Sequence, residues 1–311
     1  MVRRRIALIA FLLCFCINLI PYGAQATAPT DTKECSLTIS YCCDKSAFSK
    51  LPVKLYKIAD VSAEEQYTLT SPFESLGLIL NGIKNADEWN DIRSTLESYI
   101  LANDINADFT VTTNQDGKAQ FEMLKKGLYL AITERVTRDD TTYVFASSLV
   151  ALPGIGADGL LQYQVTVAAK SQIIPPNETD EKKEFKVVKL WKGDKKSNRP
   201  KSIKVEIFCD GKSYKTVTLS KDNNWTYSWS TKDTGADWKV IERNVPKKYK
   251  MTIKERKSSF VITNTLIRKE PDKLSGTKTG DTSNIMLYII LMIVSGSILI
   301  VLGFTGKRNR V

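Results

Sequence analysis

Three polar residues interrupt the apolar faces of predicted β-strands in the second half of the chain. Lys189 alternates with Phe185 and Val187, and Glu242 and Asn264 occupy comparable positions in two later strands. Because alternate residues of a strand face the same side of a sheet, all three side chains are expected to point into one small apolar core. Each is costly to bury alone, so the pattern indicates that the three interact.

Buried together, these side chains can form an amide bond. Burial disfavours the charged forms of lysine and glutamate, and a neutral amine is a nucleophile. We expect Lys189 to attack the side-chain amide of Asn264 with loss of ammonia, while Glu242 acts as the catalytic proton shuttle. This event is single-turnover, so the protein modifies itself and is not expected to be an enzyme that acts on a substrate.

Two alternatives to this chemistry remain open at the level of the sequence. The second half could be an ordinary sandwich in which Lys189 extends its amine to solvent and Asn264 caps a strand end. Lys186 is a rival nucleophile, although its parity along the strand places it on the outward face.

Short alternating segments separated by turns predict an all-β chain. Seven strands between residues 185 and 265 are typical of a sandwich. The first half also consists of predicted strands, with one inserted helix from Asp87 to Asn103, where apolar residues recur at steps of three and four. We therefore expect two Ig-like β-sandwich domains, the first of which carries the helix.

Apolar segments, prolines and charge define the expected domain order. Residues 1–26 are expected to form a signal peptide, 27–174 an N-terminal β domain, 175–184 a linker, 185–267 the second sandwich, 268–284 a spacer, 285–304 a transmembrane helix and 305–311 a cytoplasmic basic tail. An uncleaved N-terminal anchor is the alternative for the first segment. Residues 27–180 carry 13 Lys and Arg against 21 Asp and Glu, whereas residues 181–270 carry 24 against 11, which supports the division. The protein is thus expected at the cell surface.

The composition excludes several classes of function. The chain has no histidine, which excludes Ser-His-Asp triads and histidine metal sites. It also has no nucleophile elbow, phosphate-binding loop or metal-ligand cluster, which argues against an exported enzyme. We expect no cofactor and no metal. The net charge is +11, but the basic half is predicted to be exported, so we expect no nucleic-acid partner.

The second half resembles the B-type repeat domain of Gram-positive collagen adhesins. The resemblance covers about 85 residues and rests on the segments VVKLWKG, RPKSIKVEIFCDG, NNWTYSW, VIERNVPKKY and FVITNT, in that order. Members of that family commonly carry an isopeptide bond between a first-strand lysine and a last-strand asparagine, with a glutamate as catalyst. Carried over by position, these residues are Lys189, Asn264 and Glu242.

The first half is similar to the N-terminal domain of sortase-assembled pilins, through YCCDKSAFSKLPVKLYKIADV and NQDGKAQFEMLKKGLYLAITE. Its first strand lacks the bond-forming lysine, and Glu134 matches the catalytic acid without an asparagine partner, so no isopeptide bond is expected there. Lys170 stands where the shaft-pilin motif has its acceptor lysine. It is a candidate pilin acceptor, with a solvated strand-end lysine as the alternative.

Before the expected span, residues 276–280 stand where a sortase sorting signal would lie. Thr279 and Gly280 match the cleaved Thr-Gly pair, but the preceding Leu-Pro pair is absent. The resemblance implies a minor or basal pilin whose partners are sortase and other pilin subunits or peptidoglycan. The alternative is a monomeric adhesin that is held by its transmembrane helix and binds a host extracellular-matrix protein.

Overall fold

The computed structural model describes residues 33–62, 64–174, 182–232 and 235–267 of the 311-residue chain. The expected signal peptide, the expected transmembrane helix, and Thr279 and Gly280 lie outside the described residues. Among the helices that are described, none combines the length and apolar character needed to cross a membrane. The described residues up to Leu266 belong to one compact unit, in which two β modules follow each other.

The first module contains fifteen strands and one α-helix among the described residues. They are β1 (Cys35–Ser40), β2 (Cys42–Cys43), β3 (Ser46–Ala47), β4 (Pro52–Val61), β5 (Tyr67–Leu69), α1 (Ala86–Ala102), β6 (Phe109–Thr112), β7 (Lys118–Leu124), β8 (Gly127–Thr133), β9 (Val136–Arg138), β10 (Thr141–Phe145), β11 (Ser148–Leu152), β12 (Gly154–Ile155), β13 (Leu161–Gln162), β14 (Gln164–Ala168) and β15 (Ser171–Ile174).

Two sheets enclose the core of the first module. In one, β4 pairs with β5, β6 and β8, and β11 extends the sheet beside β8. In the other, β1 lies between β14 and β7 and runs parallel to β14. Alternate residues of β1 and β4, such as Leu37, Ile39, Val53 and Leu55, are fully buried in one hydrophobic cluster, as the period of a half-buried strand requires.

The helix α1 lies within one residue of its predicted bounds. Its first turn is capped by Asn85, whose side-chain oxygen accepts a hydrogen bond from the backbone N–H of Glu88 at 2.9 Å. Ile92, Leu96 and Ile100 are four residues apart and buried, so they form one apolar stripe. This stripe joins a hydrophobic cluster that includes residues of the second module.

The second module is a sandwich of two β-sheets. Neighbouring strands are antiparallel in both sheets, except for one parallel pair. Its strands are β16 (Lys182–Lys192), β17 (Ser202–Cys209), β18 (Lys212–Ser220), β19 (Thr226–Lys232), β20 (Trp238–Arg243), β21 (Tyr249–Arg256) and β22 (Ser259–Leu266). One sheet has the order β19-β16-β22-β21, and the other has the order β18-β17-β20. The parallel pair consists of the first and last strands, β16 and β22.

The described architecture is mostly β with one α-helix, in agreement with the predicted all-β class. The strand β16 begins at Lys182, so residues 182–184 of the segment expected to be a linker lie within a strand.

Candidate functional site

Lys189, Glu242 and Asn264 all lie inside the second sandwich. Lys189 is on β16, Glu242 on β20 and Asn264 on β22, and their exposed fractions are 3%, 3% and 0%. This geometry argues against both alternatives to the cross-link. The side chain of Lys189 does not extend to solvent, and the rival nucleophile Lys186 is exposed on the outer face of β16.

The strand register explains why these three residues meet. In the parallel pair, Lys189 lies opposite Ile262 and Trp191 lies opposite Asn264. Lys189 is therefore two residues from the position opposite Asn264, on the same face of the same sheet. Glu242 belongs to the other sheet, where β20 pairs with β17, so its side chain enters from across the core.

The carboxyl group of Glu242 bridges the two nitrogen atoms. The Nζ of Lys189 is 2.9 Å from Oε2 of Glu242. The Nδ2 of Asn264 donates a hydrogen bond to Oε1 of Glu242 at 3.0 Å. The other polar atom of the Asn264 side chain, Oδ1, has no hydrogen-bond partner among the described residues. One carboxyl group therefore contacts both the amine and the amide nitrogen that an amide exchange would replace.

The environment of Lys189 favours its neutral form. Burial lowers the pKa of Lys189 from an ordinary value of 10.5 to about 8, although the nearby carboxylate of Glu242 opposes the shift. About a tenth of the amine is therefore unprotonated at pH 7, far more than for an ordinary lysine, and the unprotonated form is the nucleophile.

Aromatic side chains form a wall beside the amine. The Nζ of Lys189 lies 4.7 Å from the ring centroid of Trp191, and Trp191 packs edge-on against both Trp225 and Tyr249. The hydroxyl of Tyr249 donates to Asp194 at 2.8 Å, which fixes the outer side of this wall. Strand parity places Trp191 on the same face of β16 as Lys189, whereas the contributions of Trp225 and Tyr249 depend on strand order that the sequence pattern does not contain.

The candidate residues of the first module lie elsewhere. Lys170 is exposed just after β14, and its backbone carbonyl accepts a hydrogen bond from the N–H of Ala146 at 2.8 Å. Glu134 is exposed and forms an ion pair with Lys54 at 3.3 Å. Neither residue belongs to a buried cluster of the kind found in the second module.

Comparison with known proteins agrees with the interpretation of the second module. Residues 185–265 match the family described as Cna protein B-type domain. The collagen adhesin of Staphylococcus aureus is 30% identical over 96 residues, which are 28% of this chain and 8% of that protein. The family match over residues 185–265 confirms the predicted B-type domain. The chain spans only a small part of the length of the collagen adhesin.

Solved structures of similar proteins have low global similarity. A single B repeat unit of the collagen-binding surface protein of Staphylococcus aureus shares 16% identity, with 76% of this chain and 100% of that chain covered and a TM-score of 0.26. The minor pilin of Streptococcus agalactiae shares 16% identity, with 76% and 98% covered and a TM-score of 0.23. The major pilin of Corynebacterium diphtheriae shares 15% identity, with 75% and 64% covered and a TM-score of 0.30. The assignment of the B-type domain therefore rests on the sequence match.

Proposed function

We propose that this chain is a structural protein of the Gram-positive cell surface whose second module cross-links itself. The observation that carries the proposal is the buried contact of Glu242 with both Lys189 and Asn264. The match of residues 185–265 to a B-type domain supports the same reaction on the same strands. No external substrate is turned over.

The reaction exchanges one amide nitrogen for another. The neutral amine of Lys189 attacks Cγ of Asn264, a new C–N bond forms, and the bond from Cγ to Nδ2 breaks. Glu242 carries a proton from the attacking amine to the departing nitrogen, which leaves as ammonia. The two contacts of its carboxyl group, 2.9 Å and 3.0 Å, suit this transfer.

The expected effect of the bond is mechanical as well as thermodynamic. It joins β16 to β22, the first and last strands of the sandwich. By analogy with a disulfide, closing a loop of about 75 residues stabilises the fold by about 4–5 kcal/mol. A pull on the two ends of the module would pass through a covalent link in place of the hydrogen bonds between the strands, which suits a stalk under shear.

We further propose that sortase cleaves between Thr279 and Gly280 and joins the chain to other pilin subunits or to peptidoglycan, as a minor or basal pilin. Lys170, which is exposed, is the candidate acceptor for another subunit. Blots of cell-wall extracts test this assembly. A ladder of high-mass species that contain this chain should disappear when sortase is deleted, and its persistence would contradict the proposal.

The alternative function is that of a monomeric adhesin held by its transmembrane helix. It is favoured by the relative in Staphylococcus aureus, which is itself named a collagen adhesin. Saturable binding of the full chain to a matrix protein, without any sortase-dependent ladder, would support the adhesin over the pilin.

Intact mass tests the cross-link itself. The wild-type chain should weigh about 17 Da less than its formula, because one ammonia is lost. Lys189→Ala and Asn264→Ala should each have the full formula mass. Lys186→Ala is the matched control and should keep the deficit, since Lys186 faces outward. A wild-type chain of full mass would contradict the proposal.

A further inference from the structure

The helix α1 of the first module covers an edge of the second sandwich. The strands β20 and β21 are the last strands of their respective sheets, so the space between them is a potential opening into the core. Glu242 lies on β20, and Asn264 lies opposite Met251 of β21. The reaction centre is therefore near this edge, and the element that covers the edge belongs to the other module.

Directed contacts fix the helix at this edge. The backbone N–H of Ile253 on β21 donates a buried hydrogen bond of 2.7 Å to Oγ1 of Thr95. At the end of the helix, Nη2 of Arg243 on β20 donates to the carbonyl of Ala102 at 2.8 Å. The helix thus supplies partners to both edge strands, and its apolar stripe shares one hydrophobic cluster with the second module.

A partly buried ion cluster reinforces the docking. Lys239 of β20 lies 3.2 Å from Glu97 of the helix, 3.2 Å from Glu255 and 3.3 Å from Asp237. Burial lowers the pKa of Lys239, but these three carboxylates outweigh burial and raise it above its ordinary value. Lys239 therefore remains charged and acts as an electrostatic attachment for the helix.

A small cavity lies between the helix and the reaction centre. Its volume is about 240 Å³, and it is lined by Leu76 and Tyr99 of the first module together with Glu242 and Met251 of the second. Residues of the first module therefore form one wall of a space that is also lined by Glu242, the residue we assign as the catalyst.

We propose that docking of α1 is required for the second module to cross-link, an inference that rests on the proposed function. Without the helix, water would enter at the edge between β20 and β21. Water stabilises an ammonium ion and hydrates a carboxylate, so the neutral amine that attacks Asn264 would become rare. The bond would then form only after the first module has folded and docked. The cross-link would therefore stabilise the fully folded unit and would not form in a partly folded one.

Charge reversal at the partly buried ion cluster tests this dependence. The variants Glu97→Lys and Lys239→Glu each oppose docking, because the first places a lysine beside Lys239 and the second places a glutamate beside Glu97. Lys212→Glu is the matched control, because Lys212 is exposed on β18. Each full chain is pulse-labelled in a cell-free reaction without sortase and diluted into buffers between about pH 6 and pH 10, and the fraction that has lost 17 Da is followed over time.

We expect each reversal to slow the loss of ammonia by about tenfold or more, with the control close to wild type. The pH of half-maximal rate should also rise by about one unit or more in the single variants, because hydration raises the pKa of Lys189 towards its ordinary value. An unchanged rate, or a slower rate with an unchanged pH midpoint, would overturn the inference. A wild-type chain that never loses ammonia would instead refute the proposed function.

Discussion

Glu242→Gln removes the carboxyl group that contacts both reacting nitrogens while it keeps the shape of the side chain. The variant can no longer carry a proton from Lys189 to the amide nitrogen of Asn264, so the cross-link should not form. Lys189 also loses its charged partner at 2.9 Å inside the core. The variant chain should therefore keep its full formula mass and unfold more easily.

The size of the destabilisation follows from the loop that stays open. Loss of a link across about 75 residues costs about 4–5 kcal/mol. Removing one partner of a buried ion pair adds to that cost. Lys189 limits this second contribution by releasing its proton, because burial already lowers the pKa of Lys189 to about 8. For a unit of this size we expect the melting temperature to fall by roughly 10–15 °C.

Differential scanning calorimetry and intact mass, measured on the same samples, test this prediction. The matched control is Glu184→Gln on β16, because Glu184 is exposed on the strand that carries Lys189. The control should keep both the mass deficit and the melting temperature of the wild type. If Glu242→Gln still lost 17 Da as fast as the wild type, Glu242 would have no part in the chemistry and the reasoning would be refuted.

Three other predictions concern pH, anchoring and docking. The rate of ammonia loss should rise about tenfold per pH unit below pH 8 and level off above it, because the neutral fraction of Lys189 grows with pH; a flat profile by mass spectrometry contradicts this. Thr279→Ala should leave the chain in the membrane fraction on blots, and unaltered wall attachment would refute sorting there. Thr95→Val, which leaves the N–H of Ile253 unpaired, should lower the free energy of unfolding by about 1–3 kcal/mol in denaturant titrations. The exposed Thr110→Val should have no effect, and equal stability of the two variants would argue against the docking contact.

Strand parity was sufficient to predict that Lys189, Glu242 and Asn264 are buried. Side chains alternate with a strict period of two, so a polar residue in phase with Phe185 and Val187 has to face the core. The same reasoning correctly placed Lys186 outside. The helix α1 was also predictable, because its cap and its apolar spacing are local signals.

Parity could not provide the spatial relations between elements. It does not reveal that β16 and β22 are parallel neighbours or that Glu242 comes from the opposite sheet. The docking of α1 on the second module depends on residues more than 130 positions apart, such as Thr95 and Ile253, whose hydrogen bond spans 158 positions. Such contacts depend on tertiary packing, which periodicity within one segment does not encode.

Tandem mass spectrometry of a proteolytic digest of the wild-type chain detects the cross-link between Lys189 and Asn264 directly. We expect one branched peptide in which the side chain of Lys189 is joined to that of Asn264, with a mass about 17 Da below the sum of its two parts. Recovery of the two peptides only as separate, unmodified species would contradict it.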